Sequence, residues 1–155
     1  MSELNNVVHI ERTIGASPSE VWAVLADFPN IADWNGGVTA SHSTSDAAAG
    51  VGARRHCDLA PMGALEETVL EWDDGRKMVI SIDSAKKLPI KQARMTFLVD
   101  DADDGNGTDF TLHYEYAANG GPLARLVGKG LHGQLRKGFG GFVDDLTTAA
   151  TARAD

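Results

Sequence analysis

Six short alternating segments in a row constrain this chain more than any other feature: Val38 to Thr44, Arg54 to Leu59, Leu65 to Trp72, Lys77 to Ser84, Lys91 to Val99 and Asp109 to Ala117. Each pairs a period-two apolar pattern with turn-forming residues at its ends, which is the signature of a strand. Asn5 to Ile14 is β-branched and alternates in the same way, making seven. Asp74-Gly75 and Asn106-Gly107 between consecutive segments read as type I′ hairpin turns, so those neighbours should be antiparallel. A seven-stranded meander cannot bury its apolar face by itself. Only one long helical period remains to cover it, from Leu123 onward, after the punctuation of Gly120-Gly121-Pro122. The predicted architecture is α+β, with one helix of about 25 to 30 residues lying in the grip of a curved antiparallel sheet.

Between the first strand and the rest, Ser17, Pro18 and Glu20 stand at the spacing of a helix cap, a first-turn proline and a capping-box acid. A helix should start there, carry Val21, Trp22, Leu25 and Phe28 as its apolar stripe, and stop at Pro29. A second short helix, Asn30 to Trp34, should follow.

The length of 155 residues fits one domain spanning the chain, 1–155, large enough to bury about 70% of its unfolded surface. No apolar run approaches the roughly 20 residues that cross a bilayer, and Met1 to Val8 lacks the regions of a signal peptide. A cytoplasmic protein without stable membrane insertion is expected. The single cysteine, Cys57, cannot form an internal disulfide. With 22 acidic against 14 basic side chains the net charge is -8, and no basic patch offsets it, so nucleic acid is not an expected partner.

The terminal helical segment is unusual. "LVGKGLHGQLRKGFGGF" (126–142) places Val127, Leu131, Leu135 and Phe142 on one face, continued by Leu146 beyond it and with Phe139 at its edge, yet it holds Gly128, Gly130, Gly133, Gly138, Gly140 and Gly141. Each mid-helix glycine costs roughly 0.5 to 1 kcal/mol against alanine. A close crossing over the sheet would explain Gly138, which falls within the apolar stripe. Gly133 and Gly140 lie opposite, and they suggest a helix able to bend or lift over a cavity. "GKGLHG" also matches a dinucleotide-binding pattern, but it lies inside a helical period with no strand to follow it.

Strand alternation turns Phe110, Leu112, Tyr114 and Tyr116 inward, with Met95, Phe97 and Val99 beside them, Cys57 and Leu59 on the third strand, and Val69 with Glu67 on the fourth. Arg55 shares the face of Cys57. An inward Arg55 and Glu67 must be paired or hydrated. They form a salt bridge at a cavity mouth, or reach out to solvent, or else make a catalytic or ligand-binding pair. Hydropathy turns Met78, Ile80 and Ile82 of strand five inward. His9, His42, His56, His113 and His132 lack metal-ligand spacing, and "DDADDGNGTD" (100–109) fails the calcium-loop pattern, so no metal and no other cofactor is expected. No nucleophile motif is present. Trp22, Trp34 and Trp72 read as packing residues, with Trp34 near the expected cavity entrance.

Four phrases carry a resemblance: "ASPSEVWAVLADFPNIADWN" (16–35), "GVGARR" (50–55), "LEETVLEWDDGRKMVISI" (65–82) and "GGPLARLVGKGL" (120–131). With the order of elements they resemble the START-related SRPBCC superfamily of helix-grip proteins. Similarity is closest to its bacterial polyketide cyclase/dehydrase-like branch and its plant abscisic-acid receptor branch, over about residues 6 to 146. The resemblance implies a seven-stranded curved sheet around a C-terminal helix, two short helices between strands one and two, and a hydrophobic cavity for lipids, hormones or polyketides. By position, Glu67 matches a cavity glutamate used for water-mediated ligand contact and Tyr114 an inward tyrosine. Asn35 falls where the receptors place a lysine for the hormone carboxylate. Without that lysine, with a short Ala60 to Ala64 loop and with Leu88-Pro89 in place of polar latch residues, abscisic acid is not the implied ligand. The same alignment would turn Ser81 and Asp83 of strand five inward, against the hydropathy.

The expected function is binding of a hydrophobic or amphipathic small molecule by a monomer or weak homodimer. The expected contacts are Trp34, Asn35, Arg55, Cys57, Leu59, Glu67, Val69, Met95, Phe97, Leu112, Tyr114, Tyr116, Leu131, Leu135 and Phe139. The rival is a polyketide aromatase/cyclase or dehydrase drawing acid and base from the tyrosine, glutamate and arginine side chains. A third reading is an interaction module with a ligand-gated surface.

Overall fold

In the computed structural model the chain is described over residues 4–118 and 124–153, with the backbone alone from 124 to 129. Strand β1 (Asn6–Ile14) leads into the expected capping box. Ser17 Oγ accepts from the Glu20 amide at 3.2 Å, the Glu20 carboxylate accepts from the Ser17 amide at 3.1 Å, and Pro18 opens α1 (Pro18–Ala26). Ser17→Ala should therefore lower the unfolding free energy by about 1 kcal/mol in urea titration, since it leaves a first-turn amide without its acceptor. A 3-10 helix, Phe28–Asp33, follows directly. Pro29 sits in its first turn rather than ahead of it, where a residue without an N–H gives up no hydrogen bond.

The remaining strands are β2 (Val38–Ser43), β3 (Arg54–Leu59), β4 (Ala64–Asp73), β5 (Lys77–Lys86), β6 (Ile90–Asp101) and β7 (Thr108–Ala118). They form one antiparallel sheet in the order β1-β7-β6-β5-β4-β3-β2, so the first strand closes the meander beside the last. The two hairpins marked by Asp-Gly and Asn-Gly are antiparallel as expected, but neither turn is type I′. Lys87 is the one non-glycine residue with positive φ among those described, so Asp74 and Asn106 lack the left-handed backbone that a type I′ turn requires. At the first hairpin only the third position, Gly75, is left-handed (φ 80°), and Arg76 donates back to the Asp73 carbonyl. At the second, Gly107 (φ 106°) lies so close to β1 that a Cβ would stand 2.4 Å from the Ile14 carbonyl oxygen, which excludes any other residue.

The sheet's inner face and α1 enclose the core, with Val8, Ile14, Val21, Phe28, Met78, Ile80, Phe97, Phe110 and Leu112 among its most buried members. The closing helix, α2 (Ala124–Arg153), packs on α1, β1 and β7. Its described side chains bury Leu131, Phe142, Val143, Leu146 and Ala150. Arg12 pairs with Asp144, and the Gly36 amide donates to Asp145 at 2.8 Å, tying α2 to β1 and to the loop before β2. Among the described residues no helix is long and apolar enough to cross a membrane.

Gly138 is exposed rather than part of the packed stripe. A Cβ added there, or at Gly130, Gly133, Gly140 or Gly141, would meet no atom outside its own turn within 4 Å. The buried arc of α2 runs through Leu131, Phe142, Val143, Leu146 and Ala150, and the five glycines lie off it. Close crossing therefore does not account for them. Gly120-Gly121-Pro122, the surroundings of Gly128 and the Val127 side chain lie outside what is described.

Candidate ligand site

Cross-strand register sets the inner face in three neighbouring rows. Val8, Tyr114, Met95, Ile80 and Val69 are directly paired across β1, β7, β6, β5 and β4. One row along, Tyr116, Ala93, Ile82, Glu67 and Arg55 run across to β3. On the other side lie Ile10, Leu112, Phe97, Met78 and Trp72. Met78, Ile80 and Ile82 are buried while Asp83 is exposed, so the hydropathy of strand five, not the ungapped alignment, has its inward face right.

Within this apolar surface sits an ion pair. Arg55 Nε donates to Glu67 Oε1 at 2.8 Å, and both residues are 3% exposed. Both side chains are almost wholly buried, 4% and 3% exposed, so the pair is closed inside rather than at a mouth. Arg55 Nη1 donates to the Phe28 carbonyl at 2.9 Å, and its guanidinium carbon stands 3.9 Å from the Phe28 ring centroid. A buried cation is thus balanced by one carboxylate, one carbonyl and one π face. Cys57 Sγ donates to the same Glu67 oxygen at 3.5 Å. Burial first, then the Glu67 charge, push the Cys57 thiol up to about 12, so it carries no thiolate at neutral pH. Burial, followed by the charge of Glu67 and by Tyr116, raises Tyr114 and keeps its hydroxyl protonated.

Aromatic side chains join this surface to α2. Tyr114 stacks on Tyr116 (5.7 Å between centroids) and meets Phe139 (4.5 Å); Tyr116 shares a hydrogen bond with His132 Nδ1 at 3.0 Å. Phe97 stacks on Phe142 (5.4 Å), and Trp34 meets that ring edge-on (5.1 Å). Of the residues expected at the site, Cys57, Val69, Met95, Phe97, Leu112, Tyr114, Tyr116 and Leu131 are buried, and Leu59, Leu135, Phe139 and Trp34 are partly buried against the same cluster. Asn35 differs. Its side-chain carbonyl accepts from the Gly37 amide at 2.9 Å and so shapes its own loop.

Four polar atoms are left over. Trp34 Nε1 is buried without a partner, the one such side-chain atom among the described residues. Glu67 Oε2, the Tyr114 hydroxyl and Arg55 Nη2 also make no hydrogen bond with a described residue, although none is fully enclosed. Phe28 was invisible to sequence reasoning as a site residue: its carbonyl and ring serve Arg55 only because the 3-10 helix folds back over β3. The histidines group in pairs across strands on the sheet, His9 with His113 and His42 with His56, but among the described residues no group of three metal-ligating side chains forms.

The fold recurs in known structures. The protein TTHA0849 from Thermus thermophilus superimposes with a TM-score of 0.81 at 16% identity, covering 97% of this chain and all of the other (100%). The Zhui aromatase/cyclase from Streptomyces sp. R1128 gives 0.74 at 16% identity, covering 97% of each chain. Ara h 8.0201 gives 0.76 at 10%, covering 95% of this chain and 98% of that one. At such identities these likenesses establish the fold, the helix-grip arrangement of sheet and C-terminal helix. No curated protein matches the sequence. Residues 7–151 match the family profile described as polyketide cyclase / dehydrase and lipid transport, nearly the whole chain, and this chain belongs to that family.

Proposed function

We propose that the chain binds a hydrophobic or amphipathic small molecule between α2 and the inner face of the sheet. The observation that carries this reading is the set of unpartnered polar atoms, Glu67 Oε2, the Tyr114 hydroxyl, Arg55 Nη2 and Trp34 Nε1, in otherwise apolar surroundings. Buried polar groups in a finished core are hydrogen-bonded, and partners supplied by a guest would complete these. The family description, which includes lipid transport, supports the same reading. The test is uptake of the uncharged fluorophore N-phenyl-1-naphthylamine, together with native mass spectrometry of protein purified from its own host. Saturable fluorescence gain and a co-purifying mass are expected; a flat titration with no adduct would sink the proposal.

These exposed or half-exposed glycines suit a helix that must yield for the guest to enter. Changing Gly133, Gly138, Gly140 and Gly141 together to alanine should raise the unfolding free energy by about 2 to 4 kcal/mol, because the added methyls meet nothing and each removes a helix penalty. Stopped-flow uptake of the same fluorophore should slow in that variant. Unchanged uptake would separate the glycines from function.

A second reading, cyclase or dehydrase chemistry, is favoured by one feature: the protonated Tyr114 hydroxyl lies within the electrostatic reach of the Glu67 carboxylate, offering a proton donor and an acceptor. Cys57, held as a thiol, adds no nucleophile. Under this reading Tyr114→Phe depresses kcat more than it raises KM on a polyketide-like substrate.

A further inference from the structure

The charges at the site bear on which guest fits. Arg55, Glu67 and Thr108 are the buried polar or charged residues among those described, and Thr108 is occupied by the Ala16 carbonyl. Arg55 spends its Nε on Glu67, its Nη1 on the Phe28 carbonyl and its face on the Phe28 ring. The cation is therefore matched by Glu67, and the pair has no net charge to offer. What remains for a guest is one acceptor, Glu67 Oε2, and three donor groups, the Tyr114 hydroxyl, Trp34 Nε1 and the Nη2 of the charge-matched Arg55.

Resting on the binding function proposed above, we infer that the guest's inner end is an uncharged oxygen function, an alcohol, phenol or ketone, and that Glu67 sets this selectivity. A hydroxyl can donate to Glu67 Oε2, and a carbonyl can accept from Tyr114 or Trp34. A carboxylate or phosphate would instead meet the Glu67 charge in a dry setting with its arginine already matched, and an ammonium would meet Arg55. Glu67 thus acts as a specificity-determining residue by repelling anions while keeping Arg55 from attracting them.

The experiment is displacement of N-phenyl-1-naphthylamine at neutral pH by 1-dodecanol, dodecanoate and dodecylammonium, three guests with one chain length and different ends. The wild-type protein should release the fluorophore at a dodecanol concentration about tenfold or more below that of either ion. Glu67→Gln frees Arg55 and should improve dodecanoate selectively by about tenfold, leaving dodecylammonium as poor as before. An ion that equals or beats the alcohol on the wild-type protein overturns the inference while the binding function stands, and this arm needs no variant to fold. Equal gains for both ions in Glu67→Gln also overturn it, since general loosening rather than a freed arginine would be the cause. Absence of any fluorophore uptake removes the binding function and this inference with it.

Discussion

Arg55→Ala is expected to cost about 3–5 kcal/mol of folding free energy. The change strands the Glu67 carboxylate in a setting only 3% exposed, with Cys57 Sγ as its remaining hydrogen-bond donor. It also leaves the Phe28 carbonyl without its donor and empties the space over the Phe28 ring. Removing both charges is a different matter. An Arg55→Met, Glu67→Met double variant has no ion to desolvate and should recover most of the loss, because buried pairs are weakly favourable against apolar replacements of like volume. Urea unfolding of the three proteins checks both statements. A loss below about 1 kcal/mol for Arg55→Ala would mean that water reaches Glu67 freely and that the pair is not closed inside.

Phe142→Ala comes next, at about 3–5 kcal/mol. This ring is the hinge pin between α2 and the rest of the core: it stacks on Phe97 and receives the edge of Trp34, and it is 5% exposed. Its loss leaves a cavity whose walls belong to the sheet, the helix and the loop before β2, which cannot all collapse together. Phe139→Ala makes the contrast. That ring is partly exposed and meets Tyr114, so its truncation should cost less stability and weaken fluorophore uptake more. If the two variants fell equally in stability and neither altered uptake, α2 would be a plain packing helix.

Local chemistry was legible in the sequence and long-range register was not. The capping box at Ser17 and Glu20 needs only three residues of spacing, and the alternation of Phe110 to Tyr116 needs only one strand, so both stand as read. The meeting of Arg55 with Glu67 depends on β3 and β4 pairing with Arg55 opposite Glu67, and alternation left their partnership open. Phe28's service to Arg55 depends on where a 3-10 helix docks, for which the sequence carries no signal. Gly138 was misplaced for a related reason. A helical wheel averages the whole segment, whereas the packed arc is set by the curved sheet and centres on Phe142 and Leu146, beyond most of the glycines. The pairing of His9 with His113 likewise appears only once β1 closes against β7.

The most direct measurement is a set of isotope-edited NOEs between N-phenyl-1-naphthylamine and the methyl groups of the labelled protein. Contacts from one fluorophore to Leu135 on α2 and to Val69, Met95 and Leu112 on the sheet are the result this account predicts. Contacts confined to the exposed Val7 and Leu70, or to none of these methyls, would contradict it.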